Sequence, residues 1–348
     1  MKKRLSHFCV ALTAIAALFA DVGQAHAQIT RLGDQVQDPG TFRRVASDVQ
    51  VGWPGRMWIS TDLADQGLGY QGSYLTVGGK SRLFEDFLDG RWLSEARLHH
   101  SLEDGGGFFA NVGIERVFSV DAADADVVMG AWYDFDGDAQ GNFGHEFNQV
   151  GVNAAIRSKK FDIIGNGYFP VGGTDFTSGD ATGVNGFLGS NILLLPGIDS
   201  ALEGFDVTLR MRPRQLAFGN GTFDVGAYSY RSDTIDSFGG GRMRLGFQLL
   251  NGLRISGEVN HDERFDTTGA VNIGYAFGGP GARSAEYSSL ARDFEETVRN
   301  DHIVRFNQSV ELAIDPDTGA AYNVVHVDNS ADAAAADGSV ENPYTSLF

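Results

Sequence analysis

The sequence predicts an all-β protein: a transmembrane antiparallel up-and-down β-barrel of about 12 strands, with a short re-entrant helix and linker after it. Three observations predict it. Apolar residues recur with period two, not 3.6, from Gly67 to Phe277. The alternating segments run to roughly nine to eleven residues, the length a tilted strand needs to cross a bilayer. Glycine is abundant, at 46 of 348 residues, aromatics reach 11%, and the single cysteine is Cys9. The same inventory excludes other classes. Lys and Arg number 27 against 45 Asp and Glu, a formal charge of −18, so a basic face for nucleic acid is lacking. With no cysteine beyond Cys9, disulfide scaffolds, thiolate metal sites and cysteine nucleophiles fall away. No apolar run approaches about 18 residues, so no spanning helix is expected.

The elements follow in order. Lys2-Lys3-Arg4, the apolar run Phe8 to Ala20, and Ala25-His26-Ala27 before Gln28 have the layout of a secretory signal peptide. Cleavage is expected between Ala27 and Gln28, leaving residues 28–55 as a periplasmic segment. The barrel is assigned to 56–277. Phe205, Val207, Leu209 and Met211 alternate with Asp206, Thr208, Arg210 and Arg212. Similar alternation marks Gln149–Arg157, Arg242–Leu249 and Leu253–Asn260, with weaker copies at Tyr70–Val77, Trp92–Leu102, Phe108–Phe118, Val127–Phe135, Phe161–Phe169, Phe223–Arg231 and Val271–Phe277. The polar phase mixes Arg and Asp with glycine, which suits a wet lumen. Aromatics gather at strand ends, among them Phe108, Phe135, Phe161, Phe169, Phe205 and Phe277, as in the girdles of outer-membrane barrels. Short turns at Ser158-Lys159-Lys160 and Asn251-Gly252 alternate with long loops at Asp136–His145 and Val171 to Gly204. A periplasmic N-terminus then requires one more strand, and Arg56–Asp62 is the candidate.

Beyond Phe277, Gly278-Gly279-Pro280-Gly281 breaks the sheet. Ser284–Val298 reads as a helix, with Leu290, Phe294 and Val298 at i, i+4, i+8. From Arg283 onward there are 4 Arg and 12 Asp or Glu, an acidic stretch. Residues 278–314 are assigned as a pore-threading helix and linker, and 315–348 as the start of a passenger, expected to be loosely placed because one coil cannot bury its own apolar face. Its tail holds an extended apolar run, Tyr322 to Val327, and an Ala/Asp linker, Asp332–Asp337.

Three segments resemble the inverse autotransporters related to intimin and invasin. Ala131-Trp132-Tyr133-Asp134, Phe147-Asn148-Gln149-Val150-Gly151, and Phe161-Asp162 through Asn166-Gly167-Tyr168-Phe169-Pro170-Val171-Gly172 look like that family's middle strands. Val298-Arg299-Asn300-Asp301-His302-Ile303-Val304 is similar to its post-barrel linker. Val325-His326-Val327-Asp328-Asn329, followed by Asp337 to Leu347, looks like the entry to a right-handed parallel β-helix. The resemblance covers about Gly67 to Val304. It implies a twelve-stranded barrel whose linker re-enters the pore and exports a C-terminal, adhesin-like passenger. The chain departs from the family in lacking a peptidoglycan-binding module before the barrel, and the 348 residues are expected to be a truncated form.

Other motifs carry less. Gly67-Leu68-Gly69-Tyr70-Gln71-Gly72 matches G-x-G-x-x-G without a helical pattern after it, and Gly79-Lys80-Ser81 reads as a turn. Asp134, Asp136 and Asp138 stand at calcium-loop spacing, but Ala139 and His145 replace the turn Gly and closing Glu, so a solvated loop is expected. His99 shares the lumen face with Glu95 and Arg97, while His100 points the other way. Arg97, Glu115, Arg157, Asp206, Arg210, Arg242, Arg244, Arg254 and Glu258 fall on the polar phase and are assigned to the pore lining. Leu290, Phe294, Val298, Arg299 and Ile303 are assigned to the linker inside it, where the wall arginines would hold the acidic stretch Asp293–Asp301. No enzyme and no cofactor are expected. The expected partners are outer-membrane lipid, the barrel assembly machinery, periplasmic chaperones and the chain's own passenger; the alternative is a porin-like or structural barrel without one.

Overall fold

The computed structural model describes residues 55–86, 90–103, 106–137, 145–178, 186–195, 197–249, 252–278, 292–331, 334–340 and 342–346. The signal peptide with its Ala27–Gln28 junction, the segment 28–54, Asp138, Asn251 and Leu290 lie outside these residues. Twelve strands form a closed barrel. They are β1 (Gly55–Ala64), β2 (Tyr74–Glu85), β3 (Arg91–Ser101), β4 (Phe108–Val120), β5 (Ala125–Asp136) and β6 (Phe147–Ser158). Then come β7 (Phe161–Val171), β8 (Glu203–Met211), β9 (Thr222–Arg231), β10 (Phe238–Gln248), β11 (Leu253–Asp262) and β12 (Asp266–Gly278). Each pairs antiparallel with its chain neighbours, and β1 closes the ring: Ile59 lies opposite Tyr275 of β12 and Val77 of β2. The strand that parity alone demanded, from Arg56, is therefore present.

Why a closed ring? The alternation explains it. Ile59, Val77, Met129, Val152, Val207, Met243 and Ile273 point outward and stay exposed, while the intervening charged residues point in. A soluble protein rarely exposes an apolar belt of this extent; in a bilayer the belt is solvated by lipid. The polar backbone can be satisfied there only by a sheet without edges. The aromatic ends follow in part: Phe161, Phe169, Phe205 and Phe277 are exposed, but Phe135 is buried, its ring 5.5 Å from that of Phe108.

Strand boundaries correct three sequence readings. The segment Tyr70–Val77 is not one strand: β2 starts at Tyr74, and Gln66–Gly67 pairs with Tyr70–Gln71 in a separate small hairpin. Gly79-Lys80-Ser81 is no turn but the interior of β2. Asp134 and Asp136 lie in β5 and are buried, not in a solvated loop.

The chain splits into two compact units. The first holds the barrel and the linker up to Val304; the second comprises residues 173–201, 232–235 and 305–348. Within the second, Asp175–Ser178, Gly197–Ala201 and Arg305–Gln308 form one three-stranded sheet, and Phe187–Leu188, Asn191–Leu195 and Glu311–Leu312 another. Buried Arg305 joins buried Asp199 at 2.8 Å. The Asp175 carboxylate, raised by partial burial, is pulled below its ordinary range by hydroxyl donors from Ser200, Thr174 and Thr234. The tail beyond Ile314 is not loosely placed, as expected above, but folded on local bonds: Ile314 pairs with Ala321 across the Asp315–Gly319 turn, and Val327 pairs in parallel with Tyr344.

Candidate functional site

The wall charges do not face an empty pore. Residues 292–304 run through the lumen, and their contacts trace the route. At the rim where β1 begins and β12 ends, Asp293 accepts bonds from Arg91 Nε at 2.7 Å and Arg82 Nη2 at 3.1 Å. Glu296 follows, 2.6 Å from Arg254. Thr297 sits at the centre of a buried cluster. Its N–H faces the Glu95 carboxylate at 3.2 Å, its hydroxyl lies 2.8 Å from both Glu95 and Glu115, and its carbonyl accepts from Arg97 at 2.6 Å. Lys80 Nζ reaches Glu115 at 2.5 Å, Glu95 at 3.2 Å and the Thr297 hydroxyl at 2.9 Å. Val298 packs on an apolar patch of the wall made by Leu93, Val117, Val128, Ala155 and Ile164.

Past the centre, Arg299 donates two 2.6 Å bonds to the two oxygens of Asp134, and its guanidinium lies 4.5 Å over the Trp132 ring. Asn300 donates its N–H to the Tyr168 oxygen at 2.9 Å and its amide to the Tyr230 oxygen at 2.6 Å. Asp301 pairs with Arg97. At the opposite rim His302 Nε2 donates to the Leu68 carbonyl at 2.6 Å, and Val304 accepts from the Leu202 N–H at 2.8 Å. The described linker thus spans the barrel from rim to rim.

Over its described part the linker is not the helix expected to Val298. Helical geometry covers only Arg292 and Asp293, and the chain is irregular from Phe294 to Val304. The physical reason is competition for backbone groups. A helix pairs its own N–H and C=O groups, but here wall side chains take them: Glu95 the Thr297 N–H, Arg97 the Thr297 carbonyl, Asn166 the Val298 carbonyl and Asn111 the Asp301 carbonyl. Phe294 and Ile303 are buried all the same.

The residues assigned to the lining divide into two sets. Arg97, Glu115, Arg242 and Arg254 touch the linker, Arg242 through Asn300 Oδ1 at 2.7 Å. Arg210 pairs instead with Asp224 through two bonds of 2.9 and 2.8 Å, Asp206 accepts from Asn166 and Tyr168, and Glu258 lies 3.4 Å from Arg242. Arg244 donates to Ser256 at 3.3 Å, and Arg157 is buried on the inner face of β6. Sequence reasoning missed Lys80, Arg82, Arg91, Asp134 and the tyrosines Tyr168 and Tyr230. For Lys80 the signal was present: it shares the parity of Thr76, which is two turns of the alternation away.

One arrangement has the order of a hydrolase relay. Thr76 Oγ1 is 2.7 Å from His99 Nδ1, and His99 Nε2 is 2.8 Å from Asn111 Oδ1. All three are buried, and the imidazole is stacked on Phe109 at 4.2 Å, so the trio meets no substrate surface. Asn111 instead carries Asp134 and the linker carbonyl of Asp301. Both Asp134 oxygens are occupied by Arg299, and no group of three or more metal-ligating side chains is present among the described residues.

No protein-family model matches the chain, and no curated protein sequence matches it either. Solved structures do. One, described under "Unveiling the Mechanism Behind the in-meso Crystallization of Membrane Proteins", is 12% identical, with a TM-score of 0.52 over 73% of this chain and 100% of that one. The KdgM porin in complex with disordered oligogalacturonate is 9% identical, with a TM-score of 0.39 over 64% and 99%. The Salmonella typhi outer membrane phospholipase dimer with bound calcium is 11% identical, with a TM-score of 0.38 over 65% and 91%. At 12% identity the first likeness is one of fold alone. A closed twelve-stranded antiparallel ring, apolar outside and charged within, is an outer-membrane β-barrel, and the outer membrane is where this protein resides.

Proposed function

We propose that the chain is the translocator and anchor of an inverse autotransporter, which carries a C-terminal, adhesin-like passenger across the outer membrane. One observation carries this reading: the chain leaves the last barrel strand, crosses the lumen as an irregular segment from rim to rim, and continues beyond it. From Thr297 onward the segment is held by wall side chains on its backbone rather than by its own helix, which supports passage of the chain in an unfolded form. The tail supports the reading too. Val327 and Tyr344 pair in parallel, with Asp328 N–H bonded to the Tyr344 carbonyl at 2.8 Å and Tyr344 N–H to the His326 carbonyl at 3.0 Å. Parallel neighbours joined by a short stretch of chain are how a β-helix coil begins. A porin-like role has less support, because the chain's own residues occupy the described lumen. The work proposed is mechanical, with no covalent step, and the barrel assembly machinery and periplasmic chaperones are the proposed partners of its insertion. An epitope inserted in the exposed Asp315–Gly319 turn tests the export. Antibody should bind it on intact cells; binding only after the cells are opened overturns the reading.

A further inference from the structure

The linker does not fill the barrel. A cavity of 170 Å³ runs beside it, from Arg56 and Gln248 at the first rim to Leu68, Tyr70 and His302 at the other. Its middle is polar, lined by Arg244, Ser256 and Glu258 among others. At its far end stands the G-x-G-x-x-G run, which forms the hairpin between β1 and β2. Positive φ at Gly69 (70°) and Gly72 (76°) is what lets so short a segment double back. The base of this hairpin is tied down: Gly72 N–H bonds the Asp65 carbonyl at 3.0 Å, and Leu102 N–H bonds the Ser73 carbonyl at 2.8 Å. Its tip turns inward. Leu68 is 1% exposed, an unusual place for an apolar loop residue, and its carbonyl holds His302. The Tyr70 ring lies 4.0 Å from the His302 imidazole and edge-on to Tyr74.

We propose that this cavity is a second, ion-sized path through the barrel, and that the hairpin 65–73 is the gate that closes it. Small hydrated ions are its cargo, since guanidinium and carboxylate groups along the wall replace part of an ion's hydration. Leu68 and Tyr70 make a narrow apolar constriction, of the kind that stops ions by excluding water. His302 latches that constriction to the linker, so the gate reports whether the linker is in place. The inference holds whether or not the chain exports a passenger.

Single-channel recording of the purified, folded barrel in planar bilayers tests it. The wild type should pass only brief, small currents. The double variant Leu68→Gly, Tyr70→Ser should raise the mean current several-fold, while Glu263→Gln, in the exposed turn between β11 and β12, should leave it unchanged. Should the double variant fail to show the altered gel migration of a folded barrel, His302→Ala, which removes only the latch, should raise the frequency of opening. A folded hairpin variant, or a folded His302→Ala, as silent as the wild type would overturn the proposal, and so would a wild type that already conducts steadily.

Discussion

The wall formed by β2–β7 and the wall formed by β9–β12 obey the same period-two code, yet their inner faces differ. On the first, Lys80, Glu95, Arg97, Glu115 and Asp134 are each at most 2% exposed and bonded to the linker or to one another. On the second, Arg242, Arg244, Ser256 and Asn272 are partly exposed and border a cavity. The cause lies in side-chain size. The packed wall adds Leu93, Val117, Trp132 and Ile164 on its inner face, so that linker residues from Val298 to Arg299 meet bulk. The open wall offers Gly246, Ser256 and Ala270 along the cavity, which leave room for water. A barrel can therefore be packed on one side and hollow on the other without any break in its strand pattern.

The largest expected effect breaks the packed side. Lys80→Ala takes from buried Glu115 the cation 2.5 Å away, while Glu95 keeps its pair with Arg97; stranding the one carboxylate costs about 3–5 kcal/mol. Urea unfolding in lipid vesicles measures it; a loss no larger than that of a surface substitution would mean that charge does not hold the linker against this wall.

The outer faces, by contrast, should not distinguish the two walls. Leu245 on β10 and Val152 on β6 are 41% and 47% exposed to lipid. Leu245→Arg and Val152→Arg should each cost about 2–4 kcal/mol if they sit near the bilayer midplane. Clearly unequal losses in the same vesicle assay would place the asymmetry outside the barrel as well as inside.

A smaller contrast comes from glycine. A Cβ on Gly113 would lie 2.4 Å from the Trp132 ring, which Arg299 also covers; a Cβ on Gly246 would meet the Thr222 hydroxyl at 3.0 Å. Gly113→Ala should therefore cost about 1–3 kcal/mol by overpacking, and Gly246→Ala less. Equal losses would remove the size argument for the cavity.

Much of this was legible in the sequence. Alternation located eleven of the strands, one of them with its start displaced to Tyr70, because a bilayer-facing strand must repeat every second residue; the parity of the connections supplied β1. The wall charges were legible for the same reason. The linker's path was not. Leu290, Phe294 and Val298 have helical spacing, but the conformation of Phe294 to Val304 is set by Glu95, Arg97, Asn111 and Asn166, residues some 130 to 200 positions away that no local pattern can bring together. The inward hairpin was hidden as well, since two glycines permit a tight turn without saying which way its tip points. Lys80 was obscured by its neighbours, Gly79 and Ser81, whose composition suggests a turn although its parity suggests a strand.

The smallest expected effect lies on the open wall. Arg244→Ala should cost under about 0.5 kcal/mol, as for a residue on a wet surface. Arg244 resembles Lys80 in charge and in facing the lumen, so composition alone would rank the two alike. Their surroundings separate them. Lys80 is enclosed by two carboxylates and a linker hydroxyl, and removing it strands Glu115 away from water, although Glu95 keeps Arg97. Arg244 donates to Ser256 at 3.3 Å and borders the cavity, so water can hydrate whatever its removal uncovers, Ser256 included. The two variants, unfolded side by side in the same vesicles, give the contrast directly. A loss for Arg244→Ala as large as that for Lys80→Ala would mean that the open wall is held by charge as tightly as the packed one, and the two sides of this barrel would then differ in volume but not in energy.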